Sequence, residues 1–378
     1  MMIGIGEFVD VLIQSGITFF TGVPDSLLGG LSTELEARCS RSHVIACNEG
    51  SAVALAIGAF AASGAVPMVY LQNSGIGNAH NPLVSLAHGA IFGAPMLLVI
   101  GWRAEVLPDG NQISDEPQHR IQGRATLGHL DLIDIPYEIV DGTRSTVERQ
   151  VRELIAIARK RRTPVALIVR KGALGASRLD RPPVFVQTTL SREMAIEHCL
   201  DALPAETAVV ATTGMASREL FELRSTRGDD HDDDLLIVGG MGHASQIALG
   251  MTIVDRQRRV ACIDGDGAFY MHLGAATQVR HAGRLIHIVM NNGVHDSVGG
   301  MPTAGEKVDM CAIARACGYP HVHSVDTASG IAEAIRFAVD GNTPFFLEIR
   351  CRGGSRPGLG RPTQAPRENF DAFCRGST

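Results

Sequence analysis

The sequence has no excess of basic residues. Its 34 lysines and arginines are outnumbered by 40 acidic residues, so the formal net charge is −6 at pH 7. Because a nucleic-acid backbone is neutralised by clustered lysine and arginine, this composition argues against nucleic acid as a partner. Hydrophobic residues make up 45% of the chain and charged residues 20%, which argues against disorder and predicts packed cores.

The sequence also lacks paired cysteine spacings and a basic leader. None of its eight cysteines forms a C-x-x-C pair, which disfavours a zinc site and predicts reduced, packed thiols. The apolar N-terminal stretch contains Glu7 and Asp10, a pattern that argues against a signal peptide. These observations favour a cytoplasmic protein.

One uncharged run, residues 52–71, is long enough to cross a membrane. Ser63, Gly64 and Pro67 interrupt it, and its first half is mostly alanine and glycine. We therefore predict a buried helix, a turn and a buried strand there, and no membrane partner.

A length of 378 residues indicates two domains, and a faint internal repeat supports a duplication. The segment T-P-V-A-L-I-V-R at 163–170 matches T-P-F-F-L-E-I-R at 343–350. Each is a short apolar run suited to a buried parallel strand, and each follows a helical pattern and an earlier strand.

Elsewhere, apolar runs end in glycine-rich turns and are followed by helical patterns, which predicts an α/β fold of two doubly wound parallel-sheet domains with similar topology. Two halves of about 180 residues leave no room for a central third domain. We predict a first domain over 1–178, a linker over 179–189 and a second domain over 190–378 with an irregular tail.

The strongest chemical signal lies between residues 265 and 294. Gly265-Asp266-Gly267 follows one predicted strand, a helical stretch over 272–281 comes next, and Asn291-Asn292 ends the following strand. A strand–helix–strand unit leaves both turns at the same edge of the sheet, so Asp266 and Asn292 can converge. A carboxylate, an amide oxygen and a backbone carbonyl suit Mg²⁺ that also binds phosphate oxygens.

This motif resembles the signature of thiamine-diphosphate-dependent enzymes. The resemblance implies that Asp266, Asn292 and the carbonyl of Val294 bind Mg²⁺. It also implies that thiamine diphosphate contacts the signature residues and their neighbours, which here are Gly265, Asp266, Gly267, Ala268, Asn292 and Val294.

The family also has a glutamate that hydrogen-bonds the aminopyrimidine ring of the cofactor, and a hydrophobic residue that supports the cofactor's bent shape. Glu49, between an apolar strand pattern and an apolar helical pattern, matches the glutamate, and Met241 matches the hydrophobic residue. The alternative for Glu49 is an acidic residue that complements the dipole of the helix it begins. The alternative for Met241 is ordinary core packing.

Further stretches resemble the phosphonopyruvate decarboxylase branch of this family. They are T-G-V-P-D-S at 21–26, N-E-G at 48–50, Q-N-S-G-I-G-N at 72–78, G-W-R at 101–103, D-E-P-Q-H at 115–119, M-G-H-A-S at 241–245 and N-N-G-V-H-D-S-V-G-G at 291–300. The resemblance implies decarboxylation of 3-phosphonopyruvate to phosphonoacetaldehyde, in phosphonate biosynthesis.

A substrate with a carboxylate and a phosphonate needs cationic and hydroxyl groups around it. The substrate-binding candidates are Ser26, Arg103, Arg124, His295 and Ser297. Proton transfer needs a group that titrates near neutrality, and the candidates are Asp25, His119 and His295. With Glu49, which the resemblance implies, the predicted catalytic residues are Glu49, Asp25 and His119.

Three alternatives stay open at this point. A sulfopyruvate decarboxylase would share the size, cofactor and mechanism. A nicotinamide-dependent dehydrogenase needs G-x-G-x-x-G, and the third glycine is missing after Gly75-Ile76-Gly77. A non-catalytic thiamine-binding subunit would be expected to lack Glu49 or the Asp266 and Asn292 pair. The resemblance also implies a homodimer or larger homo-oligomer with active sites between chains.

Overall fold

The computed structural model describes residues 2–140, 142–175, 177, 179 and 188–376. The chain divides into two compact units, residues 1–182 and 183–378. Most of the linker predicted over 179–189 lies outside the described residues.

The first unit alternates helices and strands. In chain order its elements are α1 (Ile5–Gln14), β1 (Phe20–Gly22), α2 (Gly29–Cys39), β2 (His43–Ile45), α3 (Glu49–Ser63), β3 (Met68–Gln72), α4 (Ile76–Pro82), β4 (Met96–Gly101), α5 (Pro117–Leu132), β5 (Tyr137–Ile139), α6 (Arg144–Arg161) and β6 (Pro164–Val169).

The second unit follows the same alternation, with a small hairpin inserted. Its elements are α7 (Arg192–Ala202), β7 (Ala208–Ala211), α8 (Met215–Arg227), β8 (Asp234–Leu236), α9 (Ala244–Val254), β9 (Arg259–Gly265), α10 (Asp266–Met271), β10 (Arg284–Asn291), β11 (Val294–His295), β12 (Met301–Pro302), α11 (Met310–Cys317), β13 (His321–Val325), α12 (Ala328–Asp340), β14 (Phe345–Arg350) and α13 (Pro366–Arg375).

Each unit contains one parallel sheet of six strands, and the strand order is the same in both. The first sheet runs β2-β1-β3-β4-β6-β5, and the second, read from its β8 edge, runs β8-β7-β9-β10-β14-β13. The repeated T-P segments form β6 and β14, which occupy equivalent positions. The α/β class, the two parallel sheets and their similar topology are therefore confirmed.

The strands are apolar on both faces because helices cover both sides of each sheet. In β4, Leu97 and Val99 pack into one core cluster, whereas Met96, Leu98 and Ile100 pack into the cluster on the opposite face. This burial fixes the register of the strands, and with it the positions of the polar residues that follow their carboxyl ends.

The uncharged run over 52–71 forms most of α3, a turn and most of β3, and the strand is buried as predicted. The prediction of a buried helix was wrong in part, because one side of α3, including Leu55, is exposed. Gly64 ends α3 in the left-handed conformation, with φ of 69°, which glycine adopts at little cost. Among the described residues, no helix is long and apolar enough to span a membrane.

Two details of the second unit differ from the sequence predictions. The helical stretch expected over 272–281 is a 3₁₀ helix over Leu273–His281, and a short α-helix precedes it at α10. The tail is not irregular throughout, because it ends in α13. Asn369 stabilises that helix against the edge strand β8, since its amide donates to the carbonyl of Asp234 and accepts from the amide of Leu236.

Candidate active site

Glu49 is the first residue of α3 and lies just after the carboxyl end of β2. The side chain of Asn48 caps the helix by accepting a hydrogen bond from the amide of Ser51 at 2.8 Å. Glu49 is only 6% exposed. The burial predicted for Glu49 is therefore present.

Two neighbours define the surroundings of the Glu49 carboxyl group. Asn78 on α4 donates a 2.8 Å hydrogen bond to Oε2. Gly75 lies so close that a Cβ atom added to it would come within 2.4 Å of Oε1, so only glycine leaves room. Burial raises the pKa of Glu49, although the Asn78 hydrogen bond acts in the opposite direction.

Asp25 follows β1 and has no measurable exposure. A Cβ atom on Gly101, the last residue of β4, would overlap its Oδ2. Burial raises the pKa of Asp25 to about 7, even though the backbone amide of Leu27 and the charge of Arg103 lower it. Asp25 therefore lies at the strand ends and can exchange a proton near neutral pH.

Arg103 lies beside Asp25 but is already paired with a carboxylate. Its Nε and Nη2 atoms donate to the two carboxylate oxygens of Asp115 at 2.8 and 2.6 Å. Its Nη1 atom lies 3.4 Å from the Ser26 hydroxyl. Burial raises the pKa of Asp115, but the hydrogen bond and charge of Arg103 and the amide of Glu116 together lower it by more, so the net pKa is lowered.

The other predicted residues of the first unit lie on α5. His119, in the first turn of that helix, is close enough to Asp115 to lower the pKa of that carboxyl group further. The structure thus brings Asp25, Ser26, Arg103 and His119 into one cluster. Arg124 is exposed five residues further along α5, and no contact with this cluster is seen among the described residues.

In the second unit, the Gly265–Gly267 turn contacts the Asn291–Val294 turn directly. Asp266 is 3% exposed, and its Oδ2 atom accepts a 3.1 Å hydrogen bond from the amide of Gly293 and another from the hydroxyl of Thr303. The convergence predicted from the strand–helix–strand unit is therefore present.

The two adjacent asparagines face different groups. Asn291, the last residue of β10, donates through Nδ2 to Glu348 at 2.6 Å and to the carbonyl of Gly305 at 2.9 Å. Asn292 accepts from the amide of Val294 through Oδ1 at 3.1 Å and donates to Asp296 at 2.8 Å. The oxygen of Asn291 also lies near Asp266, because a Cβ atom on Gly305 would come within 2.2 Å of Asn291 Oδ1 and 2.6 Å of Asp266 Oδ2.

Gly267 is the position on which two further predicted residues converge. A Cβ atom there would lie 2.5 Å from Cε1 of His295 and 3.4 Å from Cε of Met241. Burial lowers the pKa of His295 to about 4, so its imidazole is neutral at pH 7. A Cβ atom on Gly265, by contrast, would meet nothing within 4 Å. The space next to the first glycine of the turn is therefore empty of protein atoms.

The remaining predicted residues of the second unit lie near the same turns. Ala268 is buried in α10, and Ser297 is exposed, with its hydroxyl 2.7 Å from the position of a Cβ atom on Gly214. The structure therefore places Met241, His295 and the G-D-G and N-N turns together.

The donor set fits a hard divalent cation. Burial raises the pKa of Asp266 to about 6. Among the described residues, the groups that stabilise its carboxylate are the Thr303 hydroxyl and the amides of Gly267 and Gly293, all of them neutral. A bound cation would supply the missing positive charge, and the amide oxygen of Asn292 and the carbonyl of Val294 are ligands that Mg²⁺ accepts.

Sequence reasoning missed four residues of these clusters as members of the site. Asn73 anchors Arg103 by hydrogen-bonding both its carbonyl and its amide. Asp115 orients the guanidinium group of Arg103, Thr303 contacts Asp266, and Asp296 contacts Asn292. The sequence segments that resemble the family include Asn73, Asp115 and Asp296, so the resemblance could have identified these three residues. Thr303 lies three residues beyond the last such segment.

Comparisons with known proteins agree with this geometry. Residues 5–123 match the thiamine pyrophosphate enzyme N-terminal TPP binding domain, and residues 212–349 match the C-terminal TPP binding domain. Both halves of a thiamine pyrophosphate enzyme are thus present in one chain.

Curated relatives narrow the class. Phosphonopyruvate decarboxylase from Streptomyces viridochromogenes is 35% identical over 98% of this chain and 95% of its own length. The enzyme of that name from Streptomyces hygroscopicus is 33% identical over 100% and 94%. Sulfopyruvate decarboxylase subunit beta from Methanothermobacter thermautotrophicus is 30% identical over 50% of this chain and 98% of its own. The chain belongs to the phosphonopyruvate decarboxylase family of thiamine pyrophosphate enzymes.

Proposed function

We propose that this protein decarboxylates 3-phosphonopyruvate to phosphonoacetaldehyde and CO₂ with thiamine diphosphate and Mg²⁺. One observation carries the proposal: the buried acidic groups that this chemistry needs occur in a chain that aligns over nearly its whole length with phosphonopyruvate decarboxylases. We assign residues 1–178 to the pyrimidine half and 190–378 to the diphosphate half.

Bound thiamine diphosphate supplies a nucleophilic carbon for the keto group and accepts the electron pair that remains when CO₂ leaves. The chain's own residues do the rest. Glu49 holds a proton toward the aminopyrimidine ring, because burial favours its protonated form. Met241 supports the cofactor through apolar contact. Asp266, Asn292 and Val294 hold Mg²⁺, and Gly265, Gly267 and Ala268 border the diphosphate.

The cluster in the first unit handles the substrate. Asp25, whose pKa is about 7, delivers a proton to the carbon that loses CO₂, and His119 supports this transfer. Arg103 and Ser26 bind the phosphonate through the guanidinium edge that Asp115 does not occupy. Arg124, His295 and Ser297 are secondary substrate contacts in this proposal.

The test is CO₂ release with 3-phosphonopyruvate, 3-sulfopyruvate and pyruvate, measured side by side with thiamine diphosphate and Mg²⁺. We expect a clear preference for 3-phosphonopyruvate and a kcat lowered by about 100-fold or more in the Glu49→Gln variant. Preference for 3-sulfopyruvate would contradict the proposed substrate but not the proposed class of enzyme. That alternative has support from the sulfopyruvate decarboxylase subunit, which aligns with half of the chain.

We further propose that the active unit is at least a homodimer in the cytoplasm, with each cofactor between the pyrimidine half of one chain and the diphosphate half of another. An exposed apolar hollow of about 620 Å³, lined by Phe19, Ala54, Leu55 and Ala59 among others, supports this proposal. Leu55 on α3 is 41% exposed. Sedimentation of the active enzyme as a monomer would contradict the proposed homodimer.

A further inference from the structure

Asp296 lies at the centre of a chain of hydrogen bonds in the second unit. It accepts from Nδ2 of Asn292 at 2.8 Å and from Nη1 of Arg192 at 2.5 Å. The amide of Gly354 also donates to it at 2.9 Å. Two of these partners are more than 50 residues away in sequence, so the contacts bring three separate segments to this one carboxylate.

Arg192 is in turn held from the other side. Its Nε and Nη2 atoms donate to the two oxygens of Glu219 at 2.7 and 2.8 Å. The Arg192 side chain is 6% exposed and that of Glu219 is 1% exposed. A bidentate pair with so little exposure fixes the direction of the guanidinium group, and its remaining edge points at Asp296.

The amide of Asn292 has only one orientation that satisfies its neighbours. A carboxylate such as Asp296 only accepts, so it must face the NH₂ group of Asn292. The backbone N–H of Val294 only donates, so it must face the oxygen. If the amide were reversed, two acceptors would meet on one side and two donors on the other, and the metal would meet an NH₂ group.

We propose that Asp296, held by Arg192 and Glu219, is a positioning residue that keeps the oxygen of Asn292 directed at the Mg²⁺ ion. This proposal rests on the proposed function, because it takes Asn292 as a metal ligand. Asp296 does not touch the metal; it acts through the Asn292 amide. Partners of metal ligands typically change metal affinity by about 10- to 100-fold when they are removed.

Asp296→Asn is the variant that tests the proposal. It keeps the size of the side chain but replaces an acceptor-only group with one that can also donate, so the Asn292 amide loses its orientation. Mg²⁺ affinity is measured by calorimetric titration of the full-length protein with thiamine diphosphate present and no substrate. We expect the dissociation constant for Mg²⁺ to rise by about 10- to 100-fold.

Asp234→Asn is the matched control, because it makes the same change at another buried carboxylate of the second unit, which pairs with Arg224 and is not part of the Asp296 network. Its thermal midpoint should fall while its Mg²⁺ dissociation constant stays within about threefold of the parent's. Saturating Mg²⁺ should restore most of the turnover of Asp296→Asn, because the ligand set itself is intact. Circular dichroism establishes that both variants are folded.

Two results would overturn the proposal. One is a folded Asp296→Asn protein whose Mg²⁺ dissociation constant is within twofold of the parent's. The other is an equal loss of Mg²⁺ affinity in both variants, which would mean that the loss comes from general destabilisation of the second unit. Since the titration needs no substrate, a parent protein that binds Mg²⁺ but fails to turn over 3-phosphonopyruvate would refute the proposed reaction alone.

Discussion

Arg103 donates two hydrogen bonds to Asp115, at 2.8 and 2.6 Å, and this pairing sets the direction of its third N–H edge toward Ser26. The arginine is thus a preorganised group in which Asp115 uses two of the five N–H donors. A substrate anion would bind to a guanidinium whose rotation is already restricted, which reduces the entropy lost on binding.

Arg103→Lys should lower kcat/KM for 3-phosphonopyruvate by roughly tenfold or more, because lysine cannot pair with Asp115 and present a second fixed edge. Turnover of pyruvate, which has no phosphonate, should change much less. Steady-state kinetics with both substrates gives the comparison. Arg149→Lys, on the exposed face of α6, is the control. Equal losses for both substrates would argue against a phosphonate contact.

Glu49→Gln should lower kcat by about 100-fold or more, since a positioned acid–base group contributes that much. The amide preserves the shape and can still accept from Asn78, so binding of thiamine diphosphate should be largely retained. CO₂ release and calorimetric cofactor binding are the measurements. Glu153→Gln, which removes an exposed carboxylate on α6, should be neutral. A Glu49→Gln enzyme whose kcat is within tenfold of the parent's would contradict the role assigned to Glu49.

Gly75→Ala should reduce turnover by roughly 100-fold, because an added methyl group would displace the Glu49 carboxyl by about an ångström. Gly77, only two residues away on α4, has nothing within 4 Å of an added Cβ. Gly77→Ala should therefore leave turnover unchanged and raise stability slightly, by about 0.5–1 kcal/mol. Comparable activity in the two variants would contradict the close approach described for Gly75.

The raised pKa of Asp25 predicts a pH-dependent stability difference. The folded state holds the proton up to about pH 7, whereas the unfolded state releases it near 3.8. This group's contribution is therefore fully present below pH 3.8 and is lost as the pH rises through 7. Asp25→Asn should gain stability relative to the parent across that window, by roughly 4 kcal/mol in total.

Urea unfolding of the cofactor-free protein at several pH values between 4 and 8 measures this difference. The gap between Asp25→Asn and the parent should widen up to about pH 7 and then stay constant. Asp131→Asn, an exposed change on α5, provides the comparison. A gap that does not depend on pH would mean that Asp25 is already ionised at pH 4.

The fold was predictable because its signals are local. Apolar runs marked the buried strands, and the repeated T-P segment correctly indicated equivalent strands in two similar units. The G-D-G and N-N turns were also predictable, since the strand–helix–strand connection determines that they meet. The burial of Glu49 followed from its apolar flanks, whereas its role was inferred from the family resemblance.

The parts that sequence could not supply depend on distant partners. Asp296 meets Arg192 across 104 residues and Gly354 across 58, and no spacing rule relates such positions. The pairing of Arg103 with Asp115 runs through a loop without periodicity. The helix α13 was missed because its arginine-, glycine- and proline-rich surroundings suggested irregular chain, while its stability comes from Asn369 hydrogen-bonding to β8.

The shared strand order has a consequence for how the chemistry is divided. In the first unit, the proposed proton-transfer groups Asp25 and Glu49 follow the first and second strands. In the second unit, the proposed metal ligands Asp266 and Asn292 follow the third and fourth strands. Each pair of side chains comes from one unit alone. A break of the polypeptide between residues 179 and 188 would therefore separate the two units without dividing either pair. We expect the two halves, made as separate polypeptides, to complement each other when mixed.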